Sequence, residues 1–162
     1  MEFEIFDGVL CAYNDCESDI DIPDGVTAVA DEAFLDNDEL VSVWFPDSVT
    51  EVGARAFFGC VALEDVILSA ELKVIGASAF ENCETLVHIR IPADVRELPD
   101  RVFANCTDLA RVFLPPHLTN ISETAFLNCE NLTVYTTLGS PADRAAQALG
   151  LTVLSEDDYR PF

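Results

Sequence analysis

The side chains best equipped for chemistry here are six cysteines, two histidines and 30 carboxylates, and their spacing decides what they can do. Cys60, Cys83, Cys106 and Cys129 recur at an interval of 23 residues. Zinc chemistry needs ligands that converge tetrahedrally on one ion. Residues at a fixed interval in a repeating chain stack in a line instead, about 5 Å apart where successive copies run side by side. Parallel side chains in such a line keep their Cβ atoms too far apart for a disulfide. The column therefore reads as buried, reduced thiols serving as small apolar groups. Cys11 and Cys16 stand outside it, and a bridge between those two stays open.

The acidic run Asp15, Glu17, Asp19, Asp21, Asp24 invites calcium, but it lacks the glycine and the ligand spacing of a calcium loop. Its alternation fits the solvent face of a strand. His88 and His117 belong to no nucleophile or metal motif, and no glycine-rich phosphate loop occurs. Nothing singles out a catalytic pair among the carboxylates, so the expectation is a non-catalytic protein with no cofactor.

The elements that position these residues come from a repeat. Phe34, Phe57, Phe80, Phe103 and Phe126 keep the 23-residue interval, as do Leu40, Leu63, Leu86, Leu109 and Leu132. Pro23, Pro46, Pro92 and Pro115 form a third column, broken only at Ser69. Within each unit the pairs Val43/Phe45, Val66/Leu68, Ile89/Ile91 and Val112/Leu114 alternate with other residues, which predicts a short strand with one face buried. Proline, with no N–H to donate, ends the strand. The stretch that follows, as in GARAFFGC and GASAFENC, spaces its apolar residues three or four apart and predicts a helical turn or short 3₁₀ segment on the opposite side. One unit cannot bury its Phe, Leu and Val alone, whereas stacked units can.

Motifs such as SVTEVGARAFFGCVAL and IPADVRELPDRVFANCTDL resemble the bacterial surface-protein (BspA-like) class of leucine-rich repeats over residues 18 to 139. The commoner leucine-rich pattern places Asn or Cys just after the strand, and its absence here favours this class. The resemblance implies a leucine-rich-repeat solenoid, α/β and mainly β, with a parallel sheet on one face and short turns or 3₁₀ segments on the other. It also implies a repeat used by adhesive, host-contacting surface proteins. The expected single domain divides into a cap hairpin (1–17), about five repeats (18–139), a cap helix and strand (140–154) and a loose tail (155–162). Asp7-Gly8 between apolar runs suits a type I′ hairpin turn. Ser140 is placed to cap a helix, Pro141 to open it and Gly150 to follow it.

With Val43 and Phe45 inward, Ser42 and Trp44 point out. Carried along the period, one exposed column reads Asp21, Trp44, Ile67, Arg90, Phe113, Thr136, and the other Asp19, Ser42, Asp65, His88, Arg111, Val134. Trp44, Ile67 and Phe113, with Arg90, Arg111 and His88 beside them, form the candidate partner-binding set, since exposed apolar patches and Trp or Arg anchors mark interfaces. The competing reading is sheet stabilisation by cross-strand pairs such as Trp44 on Ile67. The face runs from an acidic end to a basic patch at Arg90 and Arg111, which suggests a protein partner with an apolar groove flanked by acidic residues. A carbohydrate reading is weak with one Trp.

The formal net charge of −22 on 162 residues sets nucleic acid and anionic membrane surfaces aside as partners, and favours a soluble monomer. No run of about 18 apolar residues offers a membrane span. The acidic, alternating start does not read as a signal peptide, so a complete chain is expected in the cytoplasm and an excised piece at the cell surface.

Overall fold

The computed structural model describes residues 2–159. A hairpin of β1 (Phe3–Phe6) and β2 (Val9–Tyr13) opens the chain. Three-residue and two-residue strands then alternate: β3 (Asp19–Asp21), β4 (Ala28–Val29), β5 (Ser42–Trp44), β6 (Glu51–Val52), β7 (Asp65–Ile67), β8 (Val74–Ile75), β9 (His88–Arg90), β10 (Glu97–Leu98), β11 (Arg111–Phe113) and β12 (Asn120–Ile121). The chain closes with β13 (Thr133–Thr136), helix α1 (Pro141–Ala148), β14 (Thr152–Ser155) and a 3₁₀ turn at Glu156–Asp158.

Each coil from β3 to β12 contributes one strand to each of two parallel ladders. The first ladder runs β3-β5-β7 and β9-β11-β13-β14, and the second, of two-residue strands joined by the longer β2, runs β2-β4-β6-β8 and β10-β12. The second ladder adds to what the sequence shows: a two-residue strand such as Glu51–Val52 precedes each turn stretch, and the stretch itself, as in residues 53–60, is a run of tight turns with no 3₁₀ segment. Proline does more than stop the first strand. Val26, Val49, Val95 and Leu118 each donate a backbone N–H to the carbonyl of the proline three residues back, so every proline of this column opens a turn. Ser69 repeats this with Leu72, and its hydroxyl accepts from the Glu71 N–H at 3.1 Å.

Two left-handed backbone positions per coil bend the convex side. Glu32, Arg55, Ser78 and Arg101 form one such column, and Asp36, Gly59, Asn82, Asn105 and Asn128 the other. The second column uses the residues that tolerate positive φ. Its asparagines also bond to one another, Asn105 Nδ2 to Asn82 Oδ1 at 2.8 Å and Asn128 Nδ2 to Asn105 Oδ1 at 2.6 Å.

The core is a stack. Successive rings from Phe34 to Phe126 lie 4.7–5.6 Å apart and within 11° of parallel. The four cysteines beside them are free and buried, and each donates its thiol to the carbonyl of a phenylalanine 26 residues earlier, at 3.1–3.3 Å. Burial pushes Cys60 up to about 12 and Cys129 to about 11, and raises Cys83 and Cys106 as well. Cys11 and Cys16 are free and exposed, so the bridge left open between them is not made.

Distinct elements stand at both ends of the coil. Asp7 and Gly8 both have positive φ, as a type I′ turn demands. The hairpin, however, extends the second ladder through β2 and β4, and leaves β3 as the edge of the first. At the other end Ser140 accepts from the Asp143 N–H, Pro141 opens α1, and Gly150 sits at φ 76° just past it. Strand β14 then joins β13 in parallel.

Candidate functional site

The outer face of the first ladder is the surface the sequence singled out, and it divides in two. In the N-terminal half, Asp21, Trp44 and Ile67 stand in register on β3, β5 and β7, with Asp19, Ser42 and Asp65 alongside. Trp44 is 38% exposed and Ile67 55%. Side chains directly opposite across strands lie close enough to touch, and diagonal ones about 7–8 Å away remain within reach of a long residue. Trp44 thus has Asp21 on one side, Ile67 on the other, and Asp19 and Asp65 on its diagonals.

Ser42, expected outside, is buried, because its hydroxyl donates to the Asp19 carboxylate. That bond, with a second from Ser18 at 2.8 Å, holds Asp19 below the usual carboxylate range and keeps it ionised. The Asp21 carboxylate has no hydrogen-bond or ion-pair partner among the described residues. His88 Nε2 stands 3.8 Å from Asp65.

The C-terminal half is covered by the chain itself. Phe113, expected to be exposed, is only 5% so. Tyr135 stacks on it at 5.1 Å, Tyr159 meets it edge-on at 4.9 Å, and the Arg90 guanidinium lies 4.4 Å from its centroid. Arg90 is also paired with Glu156 at 2.5 Å, while Arg111 is half-buried with its guanidinium 5.8 Å from the Tyr159 ring. The expected open basic patch is therefore engaged from within, by residues of the tail expected to be loose. Tyr159 is the last residue described, and 160–162 of that tail lie outside the described residues.

Two further positions are corrected. Val134 and Thr136, carried outward by the 23-residue count, point inward and are fully buried. Arg111 pairs with Thr133, one residue short of the period, and a one-residue slip moves every side chain to the opposite face. Tyr135 consequently takes the outer place beside Phe113. A groove of about 670 Å³ opens where the two halves meet, walled by Ile67, Arg90, Pro92, Phe113, Pro115 and Tyr159.

Among the described residues no three of His, Cys, Asp and Glu stand together as metal ligands, and no helix is long and apolar enough to cross a membrane.

Parallel ladders wound in 23-residue coils around a ring stack, with a leucine column and distinct caps, define a leucine-rich-repeat solenoid. The chain belongs to the BspA-type leucine-rich repeat family, whose model matches in six copies over residues 10–133. It is similar to a leucine-rich cell surface protein of Faecalibacterium prausnitzii (34% identity, TM-score 0.79), covering 85% of this chain but 37% of that one, so it spans little more than a third of that protein. It is also similar to the leucine-rich repeat protein of T. pallidum (27% identity, TM-score 0.77, 96% and 80% covered) and to one from Bacteroides ovatus (26% identity, TM-score 0.64, 85% and 42% covered). No curated protein matches the sequence.

Proposed function

We propose that this chain is a non-catalytic protein-interaction module that binds its partner through the outer face of the first ladder, centred on Trp44 and Ile67 and bordered by His88 and Arg90. The fold is consistent with such a role, and leucine-rich repeat families are generally non-enzymatic. The observation that carries the reading is the pairing of two large apolar side chains, Trp44 and Ile67, in register and both exposed on adjacent strands. A sheet face that served stability alone would cover such a pair, as this chain covers Phe113. In this reading Phe113 and Arg111 shape the border of the site from beneath Tyr159 and do not touch the partner first.

The test compares capture from a lysate of the native host by wild type, by Trp44→Asp/Ile67→Asp, and by Val74→Asp, which alters an exposed residue of the second ladder. A partner kept by wild type and Val74→Asp but lost by the double variant supports the face. Equal capture by all three removes it.

A second reading is favoured by one finding. The chain matches only 37% of a protein described as a cell surface protein. It would then be the repeat segment of a longer surface protein whose target lies outside the cell, and surface biotinylation of the native host would separate this from an internal location.

A further inference from the structure

The unpaired charge of the outer face is acidic, and that sets the chemistry of what can dock there. No Lys, Arg or His occurs before Arg55, while half of the 30 acidic residues do. The basic side chains the outer face carries are already placed: His88 beside Asp65, Arg90 against Glu156, Arg111 beneath Tyr159. Around Trp44 stand Asp21, Asp65 with His88 3.8 Å away, and Asp19, which receives only hydroxyl donors from Ser18 and Ser42. An exposed indole ring attracts a cation over its face, and carboxylates beside it add to that attraction.

Resting on the reading that this face binds a partner, we propose that the open half docks a basic peptide segment, with an Arg or Lys side chain lying over the Trp44 ring among the carboxylates of Asp19, Asp21 and Asp65. This reverses the charge that the sequence alone suggested for the partner. The reversal follows from the pairing of Arg90, still 63% exposed, with Glu156 and from the cover of Tyr159 over Phe113. Apolar residues alternating with the cations would rest on Ile67 and in the adjoining groove, whose walls are Pro92 and Pro115. An acidic segment would meet an uncompensated negative field.

The chain's single tryptophan makes the site its own reporter. Trp44 fluorescence is titrated with three capped pentapeptides, Arg-Val-Arg-Val-Arg and its Gln and Glu counterparts, at low and at moderate salt. The Arg peptide is expected to give a saturable change that weakens with salt, the Gln peptide to bind about tenfold more weakly and the Glu peptide not at all. Asp19→Asn/Asp21→Asn/Asp65→Asn, which keeps shape and hydrogen bonding, should lose about tenfold in affinity for the Arg peptide. Glu51→Gln/Glu97→Gln/Glu123→Gln, the same charge change at exposed sites off this face, should keep it. Circular dichroism checks that both variants fold.

Equal binding of Arg and Gln peptides overturns the basic partner but leaves the face as an interaction surface. Equal losses in the two triple variants reduce the effect to net charge and overturn the site. Absence of saturable binding by the Arg peptide also overturns the inference, while capture with the Trp44→Asp/Ile67→Asp variant still decides the broader reading on its own.

Discussion

Tyr159→Ala should release the C-terminal segment from the sheet without unwinding the coil. The Tyr159 ring makes two edge-on contacts, with Phe113 at 4.9 Å and with Tyr135 at 5.5 Å. Contacts of this kind contribute about 0.5–1.5 kcal/mol each beyond the area they bury. The companion ion pair, Arg90–Glu156, has side chains 63% and 40% exposed, so solvent screening holds it below about 1 kcal/mol. The rings should therefore dominate: about 2 kcal/mol lost for Tyr159→Ala, and less than half of that for Glu156→Gln. Strand β14 stays in place through its ladder with β13, so the loss is local. Hydrogen exchange is the assay. Amides from Ser155 to Tyr159 should exchange at least tenfold faster in Tyr159→Ala, while those of β5 and β7 keep their wild-type rates. Unchanged exchange in Tyr159→Ala, or a larger effect from Glu156→Gln, would show that backbone or charge holds the segment and would refute the account of why Phe113 is covered.

Within the ring stack, Phe80→Ala should cost about 4–5 kcal/mol and Phe126→Ala nearer 3, because Phe80 lies between two rings and Phe126 against one; equal costs in urea unfolding would deny the stack any energy beyond burial. Asn105→Ala should destabilise more than Asn105→Gly, by about 1 kcal/mol or more, since both lose the bonds to Asn82 and Asn128 but only alanine strains at φ 59°. A thiol reagent should label two cysteines in the folded chain, Cys11 and Cys16, and all six only in denaturant. The four buried thiols also set an alkaline limit. Their folded values lie above the unfolded value near 8.5, so the unfolded chain loses its protons first and stability falls from about pH 8.5 upward. The fall ends only as the folded thiols ionise, at about 11 for Cys129 and about 12 for Cys60. Each thiol adds a slope of up to ~1.4 kcal/mol per pH unit, and a urea midpoint that stays level from pH 8 to 10 under reducing conditions would contradict it.

The repeat made most of the fold legible, because one interval repeated in several columns has a single stacked solution. The phenylalanine column, the reduced cysteines, the Asp7-Gly8 turn and the Ser140 cap each follow from local rules that nothing in the tertiary structure opposes. The second ladder was harder to see, since two residues per strand carry no measurable alternation. At the site, the 23-residue interval stops at β11, and β13 pairs with it one residue early. The local pattern Leu132-Thr133-Val134-Tyr135 alternates inward and outward on its own, and would have placed Val134 inside and Tyr135 beside Phe113. Glu156 and Tyr159 left no such signal, because they reach the face by tertiary docking from outside the repeat.

The acidity of the open half also bears on how the solenoid ends. A parallel ladder presents an unpaired backbone edge at its first and last strands, and a second copy could continue it head to tail. The hairpin does not guard the first of these edges, because β2 joins the other ladder and β3 is left outermost. What stands there is Asp19 and Asp21, and Asp157 and Asp158 follow β14, the outermost strand at the other end. Stacking two copies would bring these like charges together, so the carboxylates that would draw a basic partner to the face also oppose its use for self-assembly. The two roles make opposite demands on salt. Screening weakens the attraction for a cationic segment and at the same time relaxes the repulsion between copies, so partner binding should fade over the same ionic-strength range in which end-to-end association begins.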